Sequence, residues 1–184
     1  MIMVMTPIKE EVLKNYSLEN WIQNSPEGTE WVNGELLEKK EVTLKHSRVQ
    51  AKLATYWRNY KDSSEQGGEV YTEAPCRTYQ QGRRPDVAYL TPELIHQFGE
   101  PAVLPQSFPL VAEIISPTDL AEDMIARSQE YLQSGSEEVW LVFPENLWII
   151  VITKNQRLVF ISGEVVRTQI VLPGLNIAVD ELLG

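Results

Sequence analysis

The stretch that most restricts the fold runs from "LVAEIISPTDL" (110–120) through "SQEYLQSG" (128–135) to "EEVWLVF" (137–143). Leu110, Val111, Ala112, Ile114 and Ile115 make a short apolar run of the kind found in a strand covered on both faces. A helical pattern follows, capped by Pro117, Thr118 or Asp119 and stopped at Gly135, and a second apolar run then ends at Phe143. Strand, helix and strand at this spacing predict a right-handed parallel crossover, and so a sheet with a helix laid on it. One residue in the first run does not belong in such a strand. Glu113 sits at its middle, and a carboxylate buried there has to be paired, protonated or bound to a metal.

The remaining segments extend this frame. Ser17 is placed to cap a short helix over "SLENWIQN", and Asn33-Gly34 between two alternating runs is a type I′ hairpin signal. Apolar residues from Thr43 to Tyr60 recur at helical spacing until "SSEQGG" breaks them. "GEVYTEAPCRTY" reads as one strand, and "PDVAYL" as another with Pro85 at its entrance. Residues 91–106 read as irregular, with one helical turn after Pro92. "EEVWLVFP" and "LWIIVITK" are joined by Glu145-Asn146, "RLVFIS" and "VVRTQIVL" form a further strand pair, and "VDELLG" closes as a short helix. The expected fold is α/β (α+β), a mixed sheet flanked by helices with an N-terminal helix and hairpin. Its 184 residues, 43% hydrophobic and 23% charged, suit one domain over 1–184.

Composition excludes several functions. The apolar runs fall well short of the roughly 20 residues that cross a bilayer. "MIMVMTPIKE" lacks the positive n-region and cleavage site of a signal peptide, so a cytoplasmic location is expected. Cys76, the single cysteine, has no second cysteine for a disulfide or a zinc pair and is expected to be a small buried hydrophobe. No nucleophile elbow, phosphate-binding glycine loop or zinc spacing occurs. The net charge of −10 speaks against non-specific nucleic-acid binding, but an acidic chain can still cut a polyanion where cations cover its carboxylates.

Asp86 opens the strand before the one that holds Glu113. If the two strands are neighbours, both carboxylates converge at one sheet edge and offer the hard oxygen ligands that Mg²⁺ or Mn²⁺ prefers. Glu35, just after the hairpin turn, is a third candidate acid. This order of a Pro-Asp strand, an acid on an apolar strand and a following helix resembles the PD-(D/E)XK nuclease superfamily. "WVNGELLE", "HS", "RRPDVAYL", "VAEIISPTDL" and "SQEYLQSGSEEVWLVFP" together resemble the Uma family of restriction-endonuclease-like bacterial domains. The resemblance implies a metal-dependent endonuclease acting on DNA phosphodiesters, with Asp86 and Glu113 as metal ligands, the carbonyl of Ile114 completing the coordination and Glu35 as an accessory acid. The superfamily's lysine would stand at Ile115. The Uma family supplies it from the helix instead, at a position that holds Arg127 here. A homodimer is also expected from the resemblance.

A plainer reading stands beside this one. Glu113 pairs with Arg127, Arg83 or Arg84 as a structural salt bridge, Asp123 and Arg127 form an i,i+4 helix pair, and the chain is a catalytically silent nuclease fold that binds nucleic acid or protein. His46, at the start of a helix, is placed where it could approach the cleft but reads more readily as a cap-region or surface histidine, and His96 has no partner pattern.

Overall fold

The computed structural model describes residues 16–39 and 43–184; the opening "MIMVMTPIKE" lies outside them. Ser17 caps α1 (Leu18–Gln23) by accepting a hydrogen bond from the Asn20 amide. Strands β1 (Thr29–Val32) and β2 (Glu35–Glu38) then form the expected hairpin. Asn33 and Gly34 at its turn take φ of 53° and 90°, the left-handed pair that a two-residue I′ turn requires. Thr43 caps α2 (Leu44–Ser63), a helix three residues longer at its C-terminus than the apolar spacing predicts.

"GEVYTEAPCRTY" divides into two strands. β3 (Glu69–Thr72) and β4 (Cys76–Arg77) belong to different sheets, because Glu73 turns the chain with φ of 54° and Pro75 cannot extend a ladder. β5 (Gly82–Arg83) and β6 (Val87–Leu90) follow, and the segment read as irregular holds a seven-residue helix, α3 (Pro92–Phe98), capped by Thr91. β7 (Leu110–Ile114) leads into α4 (Ala121–Gln133). This helix starts later than its sequence signals, since Asp119 is spent on the turn, accepting from the Ser116 amide at 2.9 Å. β8 (Glu138–Phe143), β9 (Trp148–Thr153) and β10 (Arg157–Ile161) come next, then β11 (Val165–Arg167), β12 (Asn176–Ala178) and α5 (Val179–Leu183). β11 does not pair with β10. It pairs with β12, a strand the sequence does not announce, while β10 pairs with β9.

The central sheet has the order β10-β9-β8-β7-β6-β3, with β7 and β8 parallel and the other neighbours antiparallel. Its strands alternate between two cores. Val87, Tyr89, Leu110, Ala112 and Ile114 face α2, which presents Val49, Leu53 and Trp57; Trp57 meets Trp140 edge-on at 5.7 Å. Ala88, Leu90, Val111 and Ile115 face α4, which presents Met124, Tyr131 and Leu132. Glu113 falls by this alternation on the α4 face.

The smaller sheet, β2-β1-β5-β4, is fixed by α1. Trp21, fully buried, lies directly over Gly82, and a Cβ there would meet the indole ring. The ring has no room to give: its N–H donates to Thr29 Oγ1 at 3.1 Å and the Arg84 guanidinium covers its face at 5.8 Å. Gly82→Ala should therefore destabilise the protein by about 1–3 kcal/mol, as overpacking of a tight contact does. A urea melt with an unchanged midpoint would show that α1 can lift off the sheet.

Candidate active site

The two acids are set by the register of β6 and β7, neighbouring interior strands of the central sheet. Val87 pairs with Ala112 across the antiparallel β6–β7 ladder, so Asp86, one residue earlier, stands opposite Glu113, one residue later. The main chain ties the two strands at the same point, since the Ile114 amide donates to Asp86 Oδ2 at 2.7 Å. Both carboxylates are buried, at 3% and 4% exposure.

Their surroundings push them in opposite directions. Burial alone would raise the Asp86 carboxyl, but His46, the Lys39 ammonium and the Ile114 amide outweigh it and hold the group well below the usual carboxylate range. Lys39 Nζ lies 2.9 Å from Asp86 Oδ1 and 2.5 Å from Glu73 Oε2, and it donates to the Arg84 carbonyl at 2.9 Å. Burial opposes the charge of Lys39, but Asp86, Glu113 and Glu73 together prevail and raise its pKa. Glu113 goes the other way. Burial pushes it up to about 7, with Arg127 opposing and the Asp86 charge reinforcing the rise. Arg127 Nη1 stands 3.5 Å from Glu113 Oε1, the same oxygen to which the Tyr131 hydroxyl donates at 2.6 Å.

Arg127 also reaches Glu30 at 3.5 Å, and Glu30 in turn holds Arg83 at 3.2 Å and accepts from the Arg84 amide at 3.0 Å. Arg83 grips Glu130 with two hydrogen bonds of 2.9 and 2.7 Å. One network of alternating charge thus joins the hairpin sheet to the crossover helix, with Glu30 at its junction.

Of the sequence candidates, Asp86, Glu113, Ile114 and Arg127 come together. Glu35 does not: it is exposed at the turn end of β2, opposite Val32, and the end of the hairpin that reaches the site is the other one. That end contributes Lys39, and β1 contributes Glu30; neither was singled out from the sequence. Lys39 reads as part of a solvated "EKK" run and Glu30 as one polar position in an alternating strand, so nothing marked them without knowing where the hairpin docks. His46 is no surface residue: it is buried, with Nε2 3.5 Å from Asp86 Oδ2. Glu73 and Gln50 complete the wall, Gln50 Nε2 donating to Glu73 Oε1 and to the Asp86 carbonyl, each at 2.9 Å.

Asp86 and Glu113 supply the carboxylate oxygens that Mg²⁺ or Mn²⁺ takes, at the point where β6 begins and β7 ends, so the donor chemistry fits a divalent ion. Their present partners are the chain's own cations, and among the described residues no three His, Cys, Asp or Glu side chains are grouped to hold a metal as they stand.

A mixed sheet with a carboxylate pair across two of its interior strands, a parallel crossover and helices on both faces defines a restriction-endonuclease-like fold. The chain is similar to the crystal structure of a putative nuclease belonging to DUF820 from Anabaena variabilis, with a TM-score of 0.75 at 18% identity over 84% of this chain and 89% of that one. Residues 15–180 match the model of the family described as Uma2, putative restriction endonuclease, and the protein belongs to that family. Comparison with curated proteins gave no match.

Proposed function

We propose that the protein is a metal-dependent endonuclease that hydrolyses DNA phosphodiester bonds with Mg²⁺ or Mn²⁺ held by Asp86 and Glu113, the Ile114 carbonyl assisting. The observation that carries this reading is the opposition of two buried carboxylates across β6 and β7 in a chain of the Uma2 family. The ion, when bound, supplies a Lewis acid that polarises the phosphate and acidifies a water. The chain's own residues do the rest. Lys39 and Arg127, now neutralised by the two acids, are placed to meet the negative charge that develops on a phosphoryl group. Arg127 takes the family lysine's place as a fixed charge and cannot surrender its proton near neutrality. Tyr131 keeps the Glu113 carboxyl turned toward the helix. Pairing of two chains as a homodimer would bring two such sites to one duplex. Among the described residues no helix is long and apolar enough to cross a membrane.

One observation favours a second reading. Each carboxylate already has a cation of the chain itself, as in a silent nuclease fold that binds nucleic acid or protein through a locked site. Nicking of supercoiled plasmid by the purified protein separates the two. Nicked circles that require Mg²⁺ or Mn²⁺ and vanish with chelator are expected; plasmid binding without any nicking at millimolar metal would establish the silent form.

A further inference from the structure

Three buried side-chain nitrogens lack a hydrogen-bond partner among the described residues: Trp57 Nε1 and both ring nitrogens of His46. Buried polar groups are almost always hydrogen-bonded, and two of the three belong to one imidazole at the candidate site, whose Nε2 has, among the described residues, only the Asp86 carboxylate within ion-pair range. His46 is aimed there by its helix. The Thr43 hydroxyl accepts from the His46 amide at 3.1 Å, fixing the first turn of α2, and Gln50, one turn on, touches the Asp86 carbonyl from the same helix face. The imidazole Nε2 then stands 3.5 Å from Asp86 Oδ2, which already accepts the Ile114 amide. This gap is too open for a good hydrogen bond. It is close to the spacing of two ligands on one ion, since donors each about 2.1 Å from a shared metal lie roughly 3.0–3.4 Å apart.

We propose that His46 is a nitrogen ligand of the divalent ion held by Asp86, and that it makes the site select Mn²⁺ over Mg²⁺. The inference rests on the metal-dependent reading above. Imidazole binds Mg²⁺ poorly because that ion prefers oxygen and surrenders its waters reluctantly, whereas later and softer divalent ions accept nitrogen. A mixed nitrogen and oxygen pair from His46 and Asp86 therefore discriminates where an all-carboxylate set would not.

The test is pulsed electron paramagnetic resonance of Mn²⁺ bound to the untagged full chain. The chain has two histidines, and His96 is exposed on α3, so histidine-selective ¹⁵N labelling assigns a nitrogen coupling directly. The expected result is a directly bound nitrogen whose modulation changes with the label, persists in His96→Gln and is lost in His46→Gln. Calorimetric titration should show Mn²⁺ bound about tenfold or more tighter than Mg²⁺, a preference that His46→Gln removes; a residue that merely orients a ligand already costs on the order of tenfold. Mn²⁺ bound by the wild type and lost in Asp86→Asn, but with no histidine nitrogen coupled, would overturn the role of His46 and leave the carboxylate site standing. No Mn²⁺ bound by the wild type would overturn both. The labelling experiment needs no variant to fold.

Discussion

Asp86→Asn is expected to lower metal-dependent nicking by about a thousandfold or more, a loss near 4 kcal/mol of transition-state stabilisation. The substitution is close to isosteric, so the amide oxygen can still accept from Ile114 and the β6–β7 junction should hold. What disappears is the charge. Lys39 keeps Glu73 and the Arg84 carbonyl, so it is not left as an unpaired buried cation, and the fold should lose no more than about 1–2 kcal/mol. A catalytic loss much larger than the loss of stability is the signature of a group that holds the ion, whereas a structural ion pair would lose both together. Glu35→Ala serves as the internal contrast. Exposed at the hairpin turn, it should leave the nicking rate within about twofold. Nicking by Asp86→Asn at the wild-type rate, or a fall in Glu35→Ala equal to that in Asp86→Asn, would remove Asp86 from the role given to it.

The two acids were legible because strand patterns report themselves locally. A proline before Asp86 and an apolar run around Glu113 both mark strands, and their meeting needed only that the strands be neighbours. The hairpin was legible for the same reason, since Asn33-Gly34 selects its own turn. Lys39 and Glu30 were not, because their importance arises from docking of the small sheet, Lys39 against Asp86 and Glu73 and Glu30 against Arg127 of α4, a long-range event without a local pattern. The division of β3 from β4 hid in one left-handed residue, Glu73, inside a run that alternates as if continuous. β12 is three residues long and has half of its ladder in β11, so its pattern is too short to stand out. His46 was legible only as a residue of the capped first turn: helix-start histidines are commonly exposed, and only the packing of α2 under β6 and β7 puts this one beside Asp86.

Glu113 should make the metal-free protein lose stability as the pH rises from about 5 to about 8. A carboxyl that titrates at about 7 in the fold, against a reference of 4.5, keeps its proton in the native state over the interval between. There the native chain binds more protons than the unfolded one, so the free energy of unfolding falls with increasing pH, and the full penalty is reached above pH 7. Asp86 does not confuse the measurement. Its depressed pKa contributes stability that is complete above the usual carboxylate range and is lost only in acid, below this window. Glu113→Gln is permanently neutral and can still accept from the Tyr131 hydroxyl. It should match the wild type near pH 5 and exceed it by about 2 kcal/mol at pH 8 in urea melts with chelator present. A divalent ion should invert the order. Ligation needs the ionised carboxylate, so saturating Mn²⁺ stabilises the wild type at pH 8 by about 2.7 kcal/mol at a hundredfold excess over its dissociation constant, and Glu113→Gln by far less. Parallel pH profiles for the two proteins without metal would mean that Arg127 keeps Glu113 ionised throughout, which is the locked salt bridge of the silent form. Divergent profiles without metal that do not cross when Mn²⁺ is added would keep the buried proton and discard the ligand.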